Sequence, residues 1–225
     1  MVGQISTVAP DRRPRRGAPR KGEPGARERI LAAASRLFYQ EGIRAVGVDT
    51  VIAESGVAKA SFYRTFQSKD ALIEAFVTER DRLFWLWWDN TVDERSDDPL
   101  AMLDALLAGV ARQIEHPDYR GCPFLNTATE FPDNTHPGRI VARANKDELR
   151  RRLTELCTRV GVANPEHVGA QLFLLINGAY AAGQMASDSD LSSTLVSAAH
   201  NLISPPSTSV APSQQRRKAP PRSKG

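Results

Sequence analysis

Residues 48–69, VDTVIAESGVAKASFYRTFQSK, constrain this chain more than any other stretch. They read as a short amphipathic segment ending at Ser55, a tight Gly56-Val57 turn, a second short segment over Ala58–Tyr63, and a long helix opened by Ser68-Lys69-Asp70. Glycine reaches the backbone angles of such a turn without the clash that a Cβ brings. Val57 is then placed to fill the angle between the two segments, and Phe62 and Phe66 to return to a core. Two helices joined in this way form a helix-turn-helix, whose second helix can enter a DNA major groove.

The flanking helices follow from periodicity. Over Arg27–Gln40, Ile30, Ala33, Ala34, Leu37 and Phe38 share one face, and Gly42 ends the run. Val48, Val51 and Ile52 line the inner side of the next short helix. About fifty residues make a marginal domain, so a fourth helix should brace it. That helix is expected from Lys69 to about Asn90, with Ser68 as N-cap and Asp70 at its positive end. Leu72, Phe76, Leu83 and Trp87 form one stripe on it, and Ile73, Val77, Phe84 and Trp88 the neighbouring one. A helix apolar on two sides lies between layers. Trp85, Trp87 and Trp88 cannot all face inward, because neighbours on a helix point different ways.

Residues 27–77 resemble the DNA-binding domain of the tetracycline-repressor (TetR) family of transcriptional regulators. The resemblance runs through RERILAAASRLFYQEG, SGVAKASFYRTF and SKDAL. It covers about the first third of the chain, and the rest is similar in its all-helical character. Two positions depart from the family pattern. Gly47 stands where a threonine usually caps the first helix of the motif and touches phosphate. Ala60 stands where many members have glycine.

Beta signals are nearly absent, so the fold class expected is all-α; the resemblance implies an N-terminal three-helix helix-turn-helix DNA-binding domain plus a C-terminal helical ligand-binding and dimerisation domain. The expected division is a basic unfolded arm over 1–26, the helix-turn-helix over 27–70, the helical domain over 71–203, and a basic Pro/Ser-rich tail over 204–225. Asp98-Pro99, Gly121-Cys122-Pro123, the 132–137 loop, Gly161, Asn164-Pro165-Glu166 and Ser187–Asp190 punctuate the later helices.

The net charge of +4 hides an asymmetry. Residues 1–26 carry Arg12, Arg13, Arg15, Arg16, Arg20 and Lys21 against Asp11 and Glu23. Residues 204–225 carry Arg216, Arg217, Lys218, Arg222 and Lys224 with no acid. The segment between is therefore mildly acidic. Basic Pro-rich ends bury too little apolar surface to fold, but they can contact phosphate backbones, and an arm beside a helix-turn-helix can reach the minor groove. Cys122 and Cys157 make neither a disulfide framework nor a metal set, and His116, His136, His167 and His200 are scattered. No cofactor or metal is expected. No secretory signal or membrane span is read, so the expected location is the cytoplasm.

The expected DNA-facing residues are Lys59, Ser61, Tyr63 and Arg64 on the recognition segment, with Lys69 and Arg44. Lys59 and Ser61 sit at the N-terminal end of that helix. The resemblance implies that Tyr63 gives a hydroxyl to phosphate and that Lys69, at a helix start, attracts one.

The second domain is expected to supply a dimer interface and a ligand pocket. Helical spacing and small residues point to Val168, Leu172, Ile176, Ala179 and Gly183, with Leu191, Leu195 and Ala199, as a four-helix interface between two copies; the alternative is that both helices are buried within one subunit. The pocket is expected among Phe84, Trp87, Trp88, Leu103, Leu107, Phe124, Phe131 and Phe173, with Asn126, Glu130, Asn177 and Tyr180 as polar anchors. The resemblance implies a homodimeric repressor that leaves a palindromic operator when a small-molecule effector binds. The competing reading is a non-specific architectural DNA binder. No Ser-His-Asp set, metal cluster, P-loop or dinucleotide fingerprint supports an enzyme.

Overall fold

The computed structural model describes residues 24–93, 97–185 and 190–203. The basic arm before residue 24, the tail after 203 and the 186–189 junction lie outside them. The described residues form nine helices and no strand: α1 Ala26–Glu41, α2 Val48–Ser55, α3 Lys59–Thr65, α4 Lys69–Asp93, α5 Pro99–Ile114, α6 Pro123–Glu130, α7 Pro137–Val160, α8 Pro165–Ala182 and α9 Leu191–Ile203. None of them is long and apolar enough to cross a membrane.

Local chemistry sets the boundaries. The Gly25 N–H donates to Glu28 Oε2 at 3.0 Å and starts α1. Gly56 takes φ +62 at the end of α2, the left-handed geometry that turns the chain into α3. Ser68 Oγ accepts from the Ala71 N–H at 3.0 Å, so Ser68 does cap α4. The Asp98 carboxylate accepts from the Leu100 and Ala101 N–H groups, and Asn164 Oδ1 from that of His167. Pro99, Pro123, Pro137 and Pro165 each open a helix, where a missing N–H costs nothing.

Three ends differ from expectation. The recognition helix begins at Lys59, because Ala58 is extended and acts as its N-cap. It also ends later than expected, at Thr65, and α4 continues to Asp93.

Helices α1, α2 and α3 pack into a small N-terminal unit, called the head below, around Ile30, Ala34, Leu37, Val51, Phe62 and Phe66. Helix α4 leaves the head and enters the remaining helices, the body, where it packs on α5 and α7. Helix α7 packs on α8, and α9 lies on α5 and α8. At Gly169 a Cβ would sit 2.8 Å from the Thr154 Cα, so this glycine allows α8 to cross α7 closely. The buried side chains form one continuous core from Ile30 to Ala199, and the division expected near residue 70 falls inside α4.

Candidate nucleic-acid interface and the body behind it

Helix α3 is two-sided. Phe62 is fully buried, and its ring lies 6.2 Å from that of Phe66, which anchors the inner face. Lys59, Ala60, Tyr63 and Arg64 face outward. Tyr63 is 47% exposed although its ring packs edge-on to Phe62 at 5.3 Å. Ser61 is half-buried. Its hydroxyl accepts from Arg64 Nη2 at 2.9 Å, so Arg64 lies back along its own helix.

Lys59 Nζ donates to Asp49 Oδ1 at 2.9 Å, and that hydrogen bond raises the lysine pKa. The pair joins the first turn of α2 to the first turn of α3. Gly47 offers α2 no side-chain cap, and Asp49 is the acid in the first turn there. Both members of the pair are exposed, so Lys59 can exchange a carboxylate for a phosphate at little cost.

The two flanking cations are partly engaged within the protein. Lys69 Nζ donates to the Arg44 carbonyl at 3.3 Å, and burial first of all lowers its pKa. Arg44 donates through Nη1 to the Glu130 carbonyl at 3.3 Å. The Glu130 carboxylate accepts from the Ile43 N–H at 3.0 Å and the Arg44 N–H at 2.6 Å. The end of α6 thus holds the α1–α2 corner of the head. Nothing local in the sequence announces this: Glu130 is 87 residues from Ile43, and its pattern suggested a pocket anchor. Asp49, too, escaped the sequence reading as partner of Lys59.

The expected ligand pocket does not form as one site. Trp88, Leu103, Leu107, Phe124 and Tyr180 are buried core. Phe84 is partly buried against Trp87 at 5.5 Å and Phe124 at 6.0 Å. Asn177 Nδ2 donates to the Phe173 carbonyl at 2.7 Å on its own helix, and Phe131 stacks on His136 at 4.0 Å. The Tyr180 hydroxyl donates to Gln113 Oε1 at 3.3 Å, and burial pushes its pKa well up. Trp87 instead borders an open groove of about 430 Å³ with Leu83 and Leu86, both turned to solvent. Leu83 therefore leaves the buried stripe expected of it. Asn126 and Glu130 border a separate cleft of about 560 Å³ beside the head.

Most of the residues expected at the dimer face are turned inward within the single chain. Val168, Leu172, Ile176, Ala179, Leu195 and Ala199 are buried within one chain, where they hold α8 and α9 to their neighbours, so they are closed to a second copy. Gly183 and Leu191 are half-buried. The outer side of α8 carries Leu174, 68% exposed, with Gly178 and Ala181 at the following turns and Met185 just past its end. Both stripes repeat at helical spacing, and the more apolar one went inward. Cys157 is core, its thiol pushed up to about 11 by burial.

Comparison with known proteins agrees with this architecture. Residues 30–76 match the family described as bacterial regulatory proteins, tetR family. A TetR-family transcriptional regulator from Streptomyces coelicolor superposes with a TM-score of 0.76 at 33% identity, over 79% of this chain and 94% of that one. The HTH-type transcriptional regulator YxaF of Bacillus subtilis is 31% identical over 118 residues, 52% of this chain and 61% of its own. The transcriptional regulator AcuR of Cereibacter sphaeroides is 34% identical over 128 residues, 53% of this chain and 56% of its own. The chain thus spans a little over half the length of the curated relatives it matches. The motif, the nine described helices and the near full-length structural match agree: the chain belongs to the TetR family of DNA-binding transcriptional regulators.

Proposed function

We propose that this chain is a homodimeric repressor that binds a palindromic operator through α3 and releases it when a small molecule binds the body. The observation that carries the reading is the two-sidedness of α3, with Phe62 locked inward while Lys59, paired with Asp49, and Tyr63 face outward. In this reading Lys59 and Tyr63 contact phosphate or base edges, Arg64 and Ser61 adjust beside them, and Lys69 and Arg44 add positive charge at the flank. Two copies related by a two-fold axis present two such helices, which favours a palindrome. The Leu174–Gly178–Ala181–Met185 stripe is the partner face: an apolar, small-residue row along α8 and the turn after it that no described residue covers. Release follows if an effector prefers the state in which the two heads are wrongly spaced.

Fluorescence anisotropy on the DNA upstream of the chain's own gene, against a scrambled duplex of equal length at physiological salt, tests this. A clear preference for the upstream DNA supports the reading. Equal and strongly salt-sensitive binding to both would favour the architectural alternative carried by the basic ends.

A further inference from the structure

The cleft of about 560 Å³ lies between the end of α1, α6 and the end of α8. Its size falls within the range usual for small-molecule sites. Tyr39, Tyr119 and Leu125 give it aromatic and apolar walls, and Asn126, Glu130 and Gln184 give it polar ones.

The donors of these walls are largely spent. The Tyr39 hydroxyl donates to the Gly121 carbonyl and accepts from the Arg120 N–H, both at 3.1 Å. The Tyr119 hydroxyl donates to the Tyr180 carbonyl at 2.8 Å, and Asn126 Nδ2 to the Arg120 carbonyl at 2.9 Å. The Arg120 guanidinium donates through Nε and Nη2 to the Gln40 carbonyl at 3.3 and 3.1 Å. What remains open is the lone pairs of Asn126 Oδ1 and of the Glu130 and Glu41 carboxylates, together with the side-chain amide of Gln184. Two carboxylates against one guanidinium also disfavour an anion.

The same walls join head to body. Tyr39 and Gln40 of α1 are tied to residues 120 and 121, and Ile43 and Arg44 to Glu130. A ligand that donates to Glu130 competes with two head N–H groups for the same oxygens.

We propose that this cleft is a small-molecule site for flat aromatic compounds bearing hydrogen-bond donors, in particular aromatic and arylalkyl amines, and that occupancy loosens the head from α6. The regulatory consequence rests on the regulator reading above. Binding itself is measured without DNA, so the two can fail separately.

The test is calorimetric titration of the full chain with tyramine and with its anionic counterpart 4-hydroxyphenylacetate. It is repeated on Leu125→Trp and Gln184→Trp, which fill the cleft from opposite walls. Circular dichroism checks folding, and hydrogen exchange follows the Ile43 and Arg44 amides. Tyramine is expected to bind at least about tenfold more tightly than the carboxylate, each variant to weaken it about tenfold, and both amides to exchange faster when it is bound. No tyramine binding, equal affinity for the two compounds, or unchanged binding in the folded variants overturns the site. Should both variants misfold, the exchange map of the wild-type chain decides. Changes at the α1–α6 corner support the proposal, and changes elsewhere, or none, overturn it.

Discussion

Head and body are both helical, yet function is written into them differently. In the head, three short helices spend their few large apolar side chains on one small core. Ile30, Val51, Phe62 and Phe66 are buried, and what is left outside on α3 is the small Ala60 with Lys59, Tyr63 and Arg64. Residue type alone then separates packing from contact. In the body, aromatic and aliphatic side chains serve a core, a ligand wall or a partner face equally well. Trp88 and Leu83 are both apolar residues on α4, yet one is buried and the other lies on an open groove. Surplus apolar residues make the body ambiguous where the head is not.

The largest expected effect breaks that comparison if it fails. Trp88 is 5% exposed, with Phe84 at 6.5 Å and Trp85 at 5.9 Å. Trp88→Ala should cost about 3–5 kcal/mol of stability, the usual loss for a large buried aromatic. Urea denaturation measures it. A variant of normal stability with an altered response to ligands would restore Trp88 to a pocket wall and remove the difference between head and body.

The next effect concerns the α8 face. In the proposed dimer Leu174→Glu would bring like charges together, and it should weaken self-association about a hundredfold by analytical ultracentrifugation. The exposed Met185→Lys, farther along the stripe, should do less. A dimer indifferent to Leu174→Glu would mean that the partner face lies elsewhere on the chain.

These two tests also mark where sequence reading stops. The all-α class, the helix-turn-helix and most helix ends were legible, because Gly56, Ser68, Asp98 and Asn164 act within a few residues of themselves. The faces of α8 were not. Periodicity finds the stripe Val168–Leu172–Ile176–Ala179 but cannot tell whether another helix of the same chain or a second copy will cover it. Here α7 crosses closely at Gly169 and takes that side. The Glu130 link to Ile43 and Arg44 was equally invisible, since it depends on α6 returning to the head after eighty-odd residues.

A smaller effect sharpens the head. Lys59→Ala should weaken binding to any DNA duplex about tenfold and lower the salt dependence by about one phosphate's worth. Asp49→Asn should act in the opposite direction, because it frees the ammonium that Asp49 now holds. Anisotropy titrations at several salt concentrations compare the two. If both variants bind as the wild type does, α3 does not meet phosphate through Lys59.

The smallest effect separates head from body by pH. Glu148 on α7 accepts two hydrogen bonds from Arg151 at 2.7 Å and one from Arg152 at 2.8 Å. The Arg151 hydrogen bonds are the leading cause holding its carboxyl down to about 2, against an ordinary value of 4.5. The unfolded chain therefore takes up this proton first as pH falls. The stabilisation is present above about pH 4.5 and fades as pH approaches 2. Glu148 is one-third exposed, so the gain should be no more than about 1 kcal/mol. Arg152 also lies 4.2 Å over the Trp85 ring, and all three tryptophans sit on α4 where it crosses the body. Tryptophan fluorescence thus reports on the body. Urea unfolding followed this way should show Glu148→Gln weaker than the wild type at neutral pH, with the gap narrowing towards about pH 3. A gap that stays constant with pH would mean that Glu148 acts through packing, and the charge network would not be what steadies α7 against α4.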